Sequence, residues 1–169
     1  MTESHPGSGR PGSRAALASL AQEAWDAEMA SQPVSATSLG DRRFDDRLRP
    51  NGPDAIAADV ATASRLIERA GAIDPAGLDA ADRITRAALM ERLSLERDLV
   101  AAGLETWAVD PLDGPQVTFL NIASFQPIRD GADAQALLAR WRQMAPWIAR
   151  HIGSSREAMA DGIVAPRAL

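Results

Sequence analysis

The side chains able to do chemistry are few and scattered. Only two histidines occur among the 169 residues, His5 and His151, and there is no cysteine. Zinc sites are built from Cys and His at short, regular spacings, and the sequence has no C-x-x-C, no H-E-x-x-H and no histidine pair four residues apart. His151 follows Trp147 by one helical turn beside an apolar stripe. An imidazole stacked at the boundary of the core is therefore expected there, in preference to a ligand or general base. The adjacent carboxylates Asp45 and Asp46 have the chemistry for acid–base work. Arg42, Arg43, Arg47 and Arg49 surround them and can neutralise the pair, so the expectation is a solvated or interdomain charge network in which Asp45→Asn and Asp46→Asn barely change stability. Ser35, Thr37 and Ser38 have helix ends to cap and no histidine near them in sequence, and there is no G-x-S-x-G elbow. The glycines between Gly7 and Gly12 follow no strand, which argues against a phosphate-cradling loop. Arg140, Arg142, Arg150 and Arg156 give the last helix a basic flank, with Trp141 and Trp147 beside it as core and edge packing. On this basis no catalytic, cofactor-binding or metal-ligating residue is assigned.

The elements that must position these groups are helical. Alanine inflates the 46% hydrophobic content while aromatics reach only 4%, a balance that suits close-packed helices and not sheets. A first helix is expected from about Arg14 to Ala30, with Leu17, Leu20, Ala21 and Ala24 on one face and Trp25 and Met29 beside it; Pro33 stops it. Ser35 is then expected to cap one turn ended by Gly40 in the left-handed conformation, and Asp41 to cap a second turn through Arg47. Pro53 suits the first position of the next helix, whose face carries Ile56, Val60, Ala63, Ile67 and Ala70, with Gly71 just past its end. Asp74 and Pro75 open a tight connection. The longest helix, about Leu78 to Ala102, carries a stripe of Ala81, Ile84, Ala88, Leu95, Leu99 and Ala102, flanked by Leu89, Leu93 and Val100. Asp79–Arg83, Asp82–Arg86 and Arg92–Glu96 are candidate i,i+4 pairs on its solvated side. Val117 to Phe125 reads as a short buried helix. The last pattern, Asp133 to Ala160, keeps its phase through Pro146, which predicts a kinked helix or two nearly end to end, closed by Gly162.

Composition narrows the function classes. A formal charge of −5 and a pI near 5.0 argue against a general nucleic-acid binder. All basic residues are arginine, a usage that fits a GC-rich bacterial genome. No apolar run approaches the roughly 18 residues of a membrane span, and the N-terminus has no apolar signal-peptide core, so a cytoplasmic location away from membranes is expected. Met1 to Ser13 is Gly, Ser and Pro with scattered charge, and is expected to be a disordered tail. Residues 14–169 are expected to form a single all-α domain, an irregular bundle of about five main helices with the last one kinked.

Several pieces, taken in order, resemble a known family. They are Trp25 followed by Pro33-Val-Ser-Ala-Thr-Ser-Leu-Gly-Asp41, Ile73-Asp74 with Leu78 before Asp82-Arg-Ile-Thr, Val109-Asp-Pro-Leu-Asp-Gly-Pro-Gln116, Leu137-Leu-Ala-Arg-Trp141 and Gly162-Ile-Val-Ala-Pro-Arg167. Together the pattern is similar to the N-terminal part of the bacterial domain of unknown function 885, long helical proteins regarded as zinc-metallopeptidase-like. In that family the zinc site, a His-Glu-x-x-His helix with further ligands, lies downstream of this region. The resemblance therefore transfers no catalytic or zinc-ligating residue to this sequence. It implies a non-catalytic helical portion, incomplete without a zinc-bearing C-terminal half that it packs against and whose cleft it walls. The competing expectation is a free-standing helical module that dimerises through an exposed apolar face. A zinc enzyme in its own right ranks last, because two isolated histidines and scattered carboxylates are a poor ligand set.

Overall fold

The computed structural model describes residues 12–103, 112 and 114–164, and no strand occurs among them. The tail expectation for 1–11, His5, Trp107 and half of Val109 to Gln116 (residues 109–111 and 113) fall outside the described residues, and Ser13 already begins the first helix. The helices are α1 (Ser13–Ser31), α2 (Pro33–Ser38), α3 (Pro53–Gly71), α4 (Ala80–Ala101), α5 (Pro115–Phe125), α6 (Gly131–Arg142) and α7 (Met144–Ala160).

Buried side chains gather into two cores. The first joins α1, α3 and α4 through Leu17, Leu20, Ala24, Ala63, Leu66, Ala70 and Leu93, with Ile73 and Leu78 pinning the α3–α4 connection. Alanines at three of these positions let the helices approach closely. The second core joins Leu48, Ile122 and Leu137, covered by Val34, Phe119, Phe125, Met144 and Trp147. Between the two cores runs the segment from Pro33 to Asn51.

Local chemistry explains most boundaries. Pro53 and Pro115 sit at the starts of α3 and α5, where the missing N–H costs nothing. Asp41, Asp74, Asp79 and Asp130 each accept a backbone N–H at the start of a helix or 3₁₀ turn. After α2 and after α7 the chain turns through Gly40 (φ +88°) and Gly162 (φ +83°). At both ends the two following N–H groups fold back on the last turn, Asp41 N to the Ala36 carbonyl and Ile163 N to that of Ala158.

Four expectations need correction. Ser35 caps nothing: Pro33 itself begins α2, and Ser35 lies exposed within it. Gly71 is the last helical residue of α3, with Ala72 as C-cap and no left-handed backbone. Of the three expected i,i+4 pairs only Arg92–Glu96 forms. Arg86 instead donates to the Ala70 and Gly71 carbonyls, Arg83 to that of Pro75, and Asp79 is used as a cap. Free carbonyls at a helix end are fixed acceptors, whereas an exposed ion pair contributes little. Finally, the stripe expected to bury α4 faces solvent: Ile84 is 70% and Leu95 57% exposed, and Leu89, Met90 and Leu93 pack inward instead. Similarly Leu66, the one leucine of α3 and absent from its expected stripe, is fully buried, and Trp25 is exposed.

The helices α6 and α7 meet at Gln143 with a bend of 29°. Pro146 has no N–H to offer the Arg142 carbonyl, so the break falls about one turn before the proline.

Glycine matters where φ is positive. Gly40→Val should lose about 1–2 kcal/mol or more, the cost of a left-handed L-residue aggravated by β-branching. Gly71→Ala, with open space around its Cα, should be neutral or stabilise by up to about 1 kcal/mol. Urea denaturation of the two variants checks this.

Candidate functional site

The segment between the cores is fastened by one side chain. Arg140, on α6, is 0% exposed. Its Nε donates to the Arg47 carbonyl (2.8 Å) and its Nη1 to Gln126 Oε1 (2.7 Å). Nη2 donates to the Phe44 carbonyl (2.7 Å) and Thr37 Oγ1 (2.9 Å), with the Pro33 carbonyl at 3.3 Å. Thr37 in turn donates to Asp45 Oδ1 (2.6 Å), and that carboxylate stands 4.0 Å from Arg140. The guanidinium fork thus reads both ends of the segment and the carbonyls between, a geometry lysine cannot copy. Burial pulls the ionisation of Arg140 below the usual arginine range, and the charges of Asp45 and Asp46 oppose that shift.

Around this buried cation the charges alternate. Arg42 Nε donates to Asp45 Oδ2 (2.7 Å), and its Nη2 lies 2.9 Å from Asp133 Oδ1. Asp133 also accepts the backbone N–H (3.0 Å) and Nε (3.1 Å) of Arg129. The Arg129 backbone and side-chain bonds, then Arg42, hold the Asp133 carboxyl well below its ordinary value, at about 2. Further out, Arg43 bridges Asp41 and Asp26, and lowers the carboxyl of each. Gln143, at the α6–α7 break, receives the Leu48 N–H and donates to the Asp46 carbonyl. Trp147 Nε1 donates to the Arg49 carbonyl (2.7 Å).

On the other side of this segment α1, α3 and α4 diverge and enclose an open cleft of about 550 Å³. Ala24, Ala63, Leu66 and Leu93 form its floor, and Trp25 and Leu99 stand on its rim. The charged rim is internally paired: Arg92 contacts both Glu28 and Glu96, and Arg49 Nη2 lies 3.1 Å from Asp59. No hydroxyl–imidazole hydrogen bond occurs there among the described residues. The cleft can receive an apolar or amphipathic surface; it does not present a nucleophile with its base.

The sequence-derived candidates are dispersed. His151 stacks on Trp147 with ring centroids 5.2 Å apart, as expected. Asp46 is exposed and paired with Arg47, as expected of a solvated charge. Asp45 is not solvated: it is 4% exposed and belongs to the Arg140 network. Arg142, Arg150 and Arg156 are exposed, but Arg140 is not part of a basic flank. The signal for it was present. Leu137, Arg140, Met144, Trp147 and His151 follow a 3-4-3-4 spacing, so Arg140 shares the phase of the side chains that turn inward. Among the described residues no three His, Cys, Asp or Glu side chains come together to hold a metal ion.

A family described as "Bacterial protein of unknown function (DUF885)" matches residues 33–169. No curated protein and no solved structure matches the chain. The match begins at Pro33, the residue whose carbonyl faces Arg140, and contains every partner of that guanidinium.

Two measurements test the network. Arg140→Met should cost about 3–5 kcal/mol, because it takes the buried donor from the Arg47 carbonyl and Gln126 Oε1 and the cation from beside Asp45. Asp45→Asn should cost about 1–3 kcal/mol and Asp46→Asn under about 0.5 kcal/mol, readable in urea melts. For pH, Asp133 is depressed in the fold, so the stability it contributes is complete above its ordinary value of 3.8 and is lost as pH falls through about 2. The melting temperature should drop across that window. In Asp133→Asn it should start lower at neutral pH and fall less steeply, the remaining slope coming from Glu23, Asp26 and Asp41, whose carboxyls arginine partners also hold down.

Proposed function

The chain belongs to the DUF885 family of bacterial proteins, and on that premise we propose that it is a non-catalytic helical portion of a metallopeptidase-like hydrolase. In this reading residues 14–169 act as one unit that packs against a zinc-bearing catalytic half and walls its substrate cleft. One observation carries the proposal. The cleft between α1, α3 and α4 has an apolar floor and a charged rim already paired within the chain. That is the chemistry of a wall or a docking surface, and nothing on it activates water. Glu28, Glu96 and Asp59 are each held by an arginine, so none is available as a general base without breaking its ion pair.

Because no step of hydrolysis is assigned to these residues, the role is positional. A partner surface seated on Ala24, Ala63 and Leu66 would be fixed in height by the α1–α4 ion pairs and in register by Trp25. Membrane anchoring plays no part in the proposal; no helix among the described residues is long and apolar enough to cross a membrane.

The test is complementation. The purified chain should neither take up zinc stoichiometrically nor cleave peptides. Mixed with a separately made polypeptide of the family that carries the His-Glu-x-x-His helix, it should form a complex. Trp25→Ala should weaken that complex by about tenfold or more, as loss of an aromatic anchor does. Zinc uptake with peptide hydrolysis by the chain alone would overturn the proposal. A chain that melts cooperatively yet ignores the zinc-bearing polypeptide would instead be a free-standing helical module.

A further inference from the structure

Two helix faces of this chain are apolar, exposed and away from the cleft floor. On α4 the face carries Ile84, Ala88 and Leu95 and ends at Leu99, which also stands on the cleft rim. On α6 and α7 it carries Leu138, Trp141, Ile148, Ile152 and Met159. At about 100° per residue each set occupies less than a third of the helix circumference, which is a packing stripe.

The charges bordering the stripes differ in sign. Along α6–α7 the charged side chains nearest the stripe are Arg142 and Arg156. Both are exposed, and neither makes an ion pair among the described residues. Along α4 the stripe is bordered by Glu91, Glu96 and Asp98; Arg97 pairs with Asp98 and Arg92 with both Glu96 and Glu28, so the acids outnumber the two arginines and Glu91 carries the unpaired charge. Glu91 makes no ion pair among the described residues.

These signs decide which faces can meet. Two α4 stripes match in size when antiparallel, since Ile84 then meets the partner's Leu99 and Ala88 the partner's Leu95. The same two-fold, however, sets Glu91 beside the partner's Glu91. Two α6–α7 faces, antiparallel, set Arg142 beside the partner's Arg156. Like charges directly opposed at an apolar contact are unfavourable and act against both self-pairings. The unlike pairing carries no such conflict. It buries both stripes and places the unpaired arginines of one copy beside the acidic border of the other.

We propose that copies of this chain associate head to tail, the acid-bordered apolar face of α4 on one copy seating on the arginine-bordered face of α6–α7 on the next. The contact is heterologous, so a dimer keeps one α4 face and one α6–α7 face free for further neighbours, and assembly proceeds past the dimer or closes into a ring. This goes beyond the proposed role of the cleft and does not depend on it.

The experiment blocks one face at a time in the full chain. Leu95→Arg places a cation on the α4 stripe, and Ile152→Glu places an anion on the α7 stripe. The native chain should show a mass that grows with concentration in light scattering. Each variant alone should be monomeric, with helicity and melting unchanged because both positions are exposed. Mixed in equal amounts, the two variants should form a one-to-one dimer and nothing larger, since only one intact α4 face and one intact α7 face remain. Affinity for that single contact should fall about tenfold or more when Arg156→Glu is added to the Leu95→Arg variant. Three outcomes would overturn the proposal: a native chain that stays monomeric at every concentration, either blocked variant associating as the native chain does, or a mixture that remains monomeric. In the first case anionic vesicles and the zinc-bearing polypeptide become the occupants to test. In the second the contact is between like faces.

Discussion

A guanidinium with no access to water must find acceptors for its N–H groups, and in this chain that requirement organises everything between the two cores. Arg140 satisfies it with the carbonyls of Phe44 and Arg47, the hydroxyl of Thr37 and the amide of Gln126. Those acceptors exist in the right places only if α2 has formed, if Gly40 has reversed the chain, and if the 3₁₀ turn after Asp41 presents its carbonyls to α6. The bonds therefore make the conformation of residues 33–48 conditional on the position of α6. A buried charge of this kind adds little net stability compared with apolar packing, but its removal is expensive and its geometry admits one arrangement.

The same constraint explains where the apolar surface ends up. Arg140 claims the inward phase of α6, in line with Leu137, Met144 and Trp147, and the segment it binds covers that side. Leu138, Trp141, Ile148 and Ile152, turned away from that line, are left outside. On α4 a comparable division holds. Leu89, Met90 and Leu93 meet α1 and α3, Arg86 is occupied by the α3 terminus, and the alanine–leucine stripe lies outside this core. In both cases the sequence stripe is broader than the surface available to bury it.

That breadth is why the helices were easier to read than their orientation. Proline, glycine and aspartate punctuation located nearly every boundary, and Gly40, Gly162, Asp41 and Asp74 perform the roles their types suggest. Periodicity cannot tell the buried side of a stripe from its exposed side when alanine dilutes the contrast, so α4 was assigned the wrong face and Leu66 was missed. Arg140 and Asp45 were read as surface charge because charged residues usually are. Only tertiary placement, bringing α6 against a carbonyl-rich loop some 90 to 100 residues earlier in the chain, makes the buried assignment favourable. The cleft was invisible for a related reason: it is a divergence of three helices, and no local pattern encodes an angle.

A polar knot between two small cores also limits what each core can do alone. The knot satisfies hydrogen bonds but contributes no apolar area, and neither core extends through it. Alanine at Ala24, Ala63 and Ala70 brings α1, α3 and α4 close where they touch, yet it leaves little volume to close the gap where they part. The cleft and the two outer stripes are thus consequences of one composition: abundant helix, little side-chain bulk, and a central position given to charge. Surfaces of this kind persist in a chain when covering them is the work of another polypeptide surface, because hydrophobic burial is the largest favourable term left to gain. The differing signs around the stripes then restrict which surface that can be. In the proposed assembly the charged borders set partner choice and the apolar stripes supply the affinity.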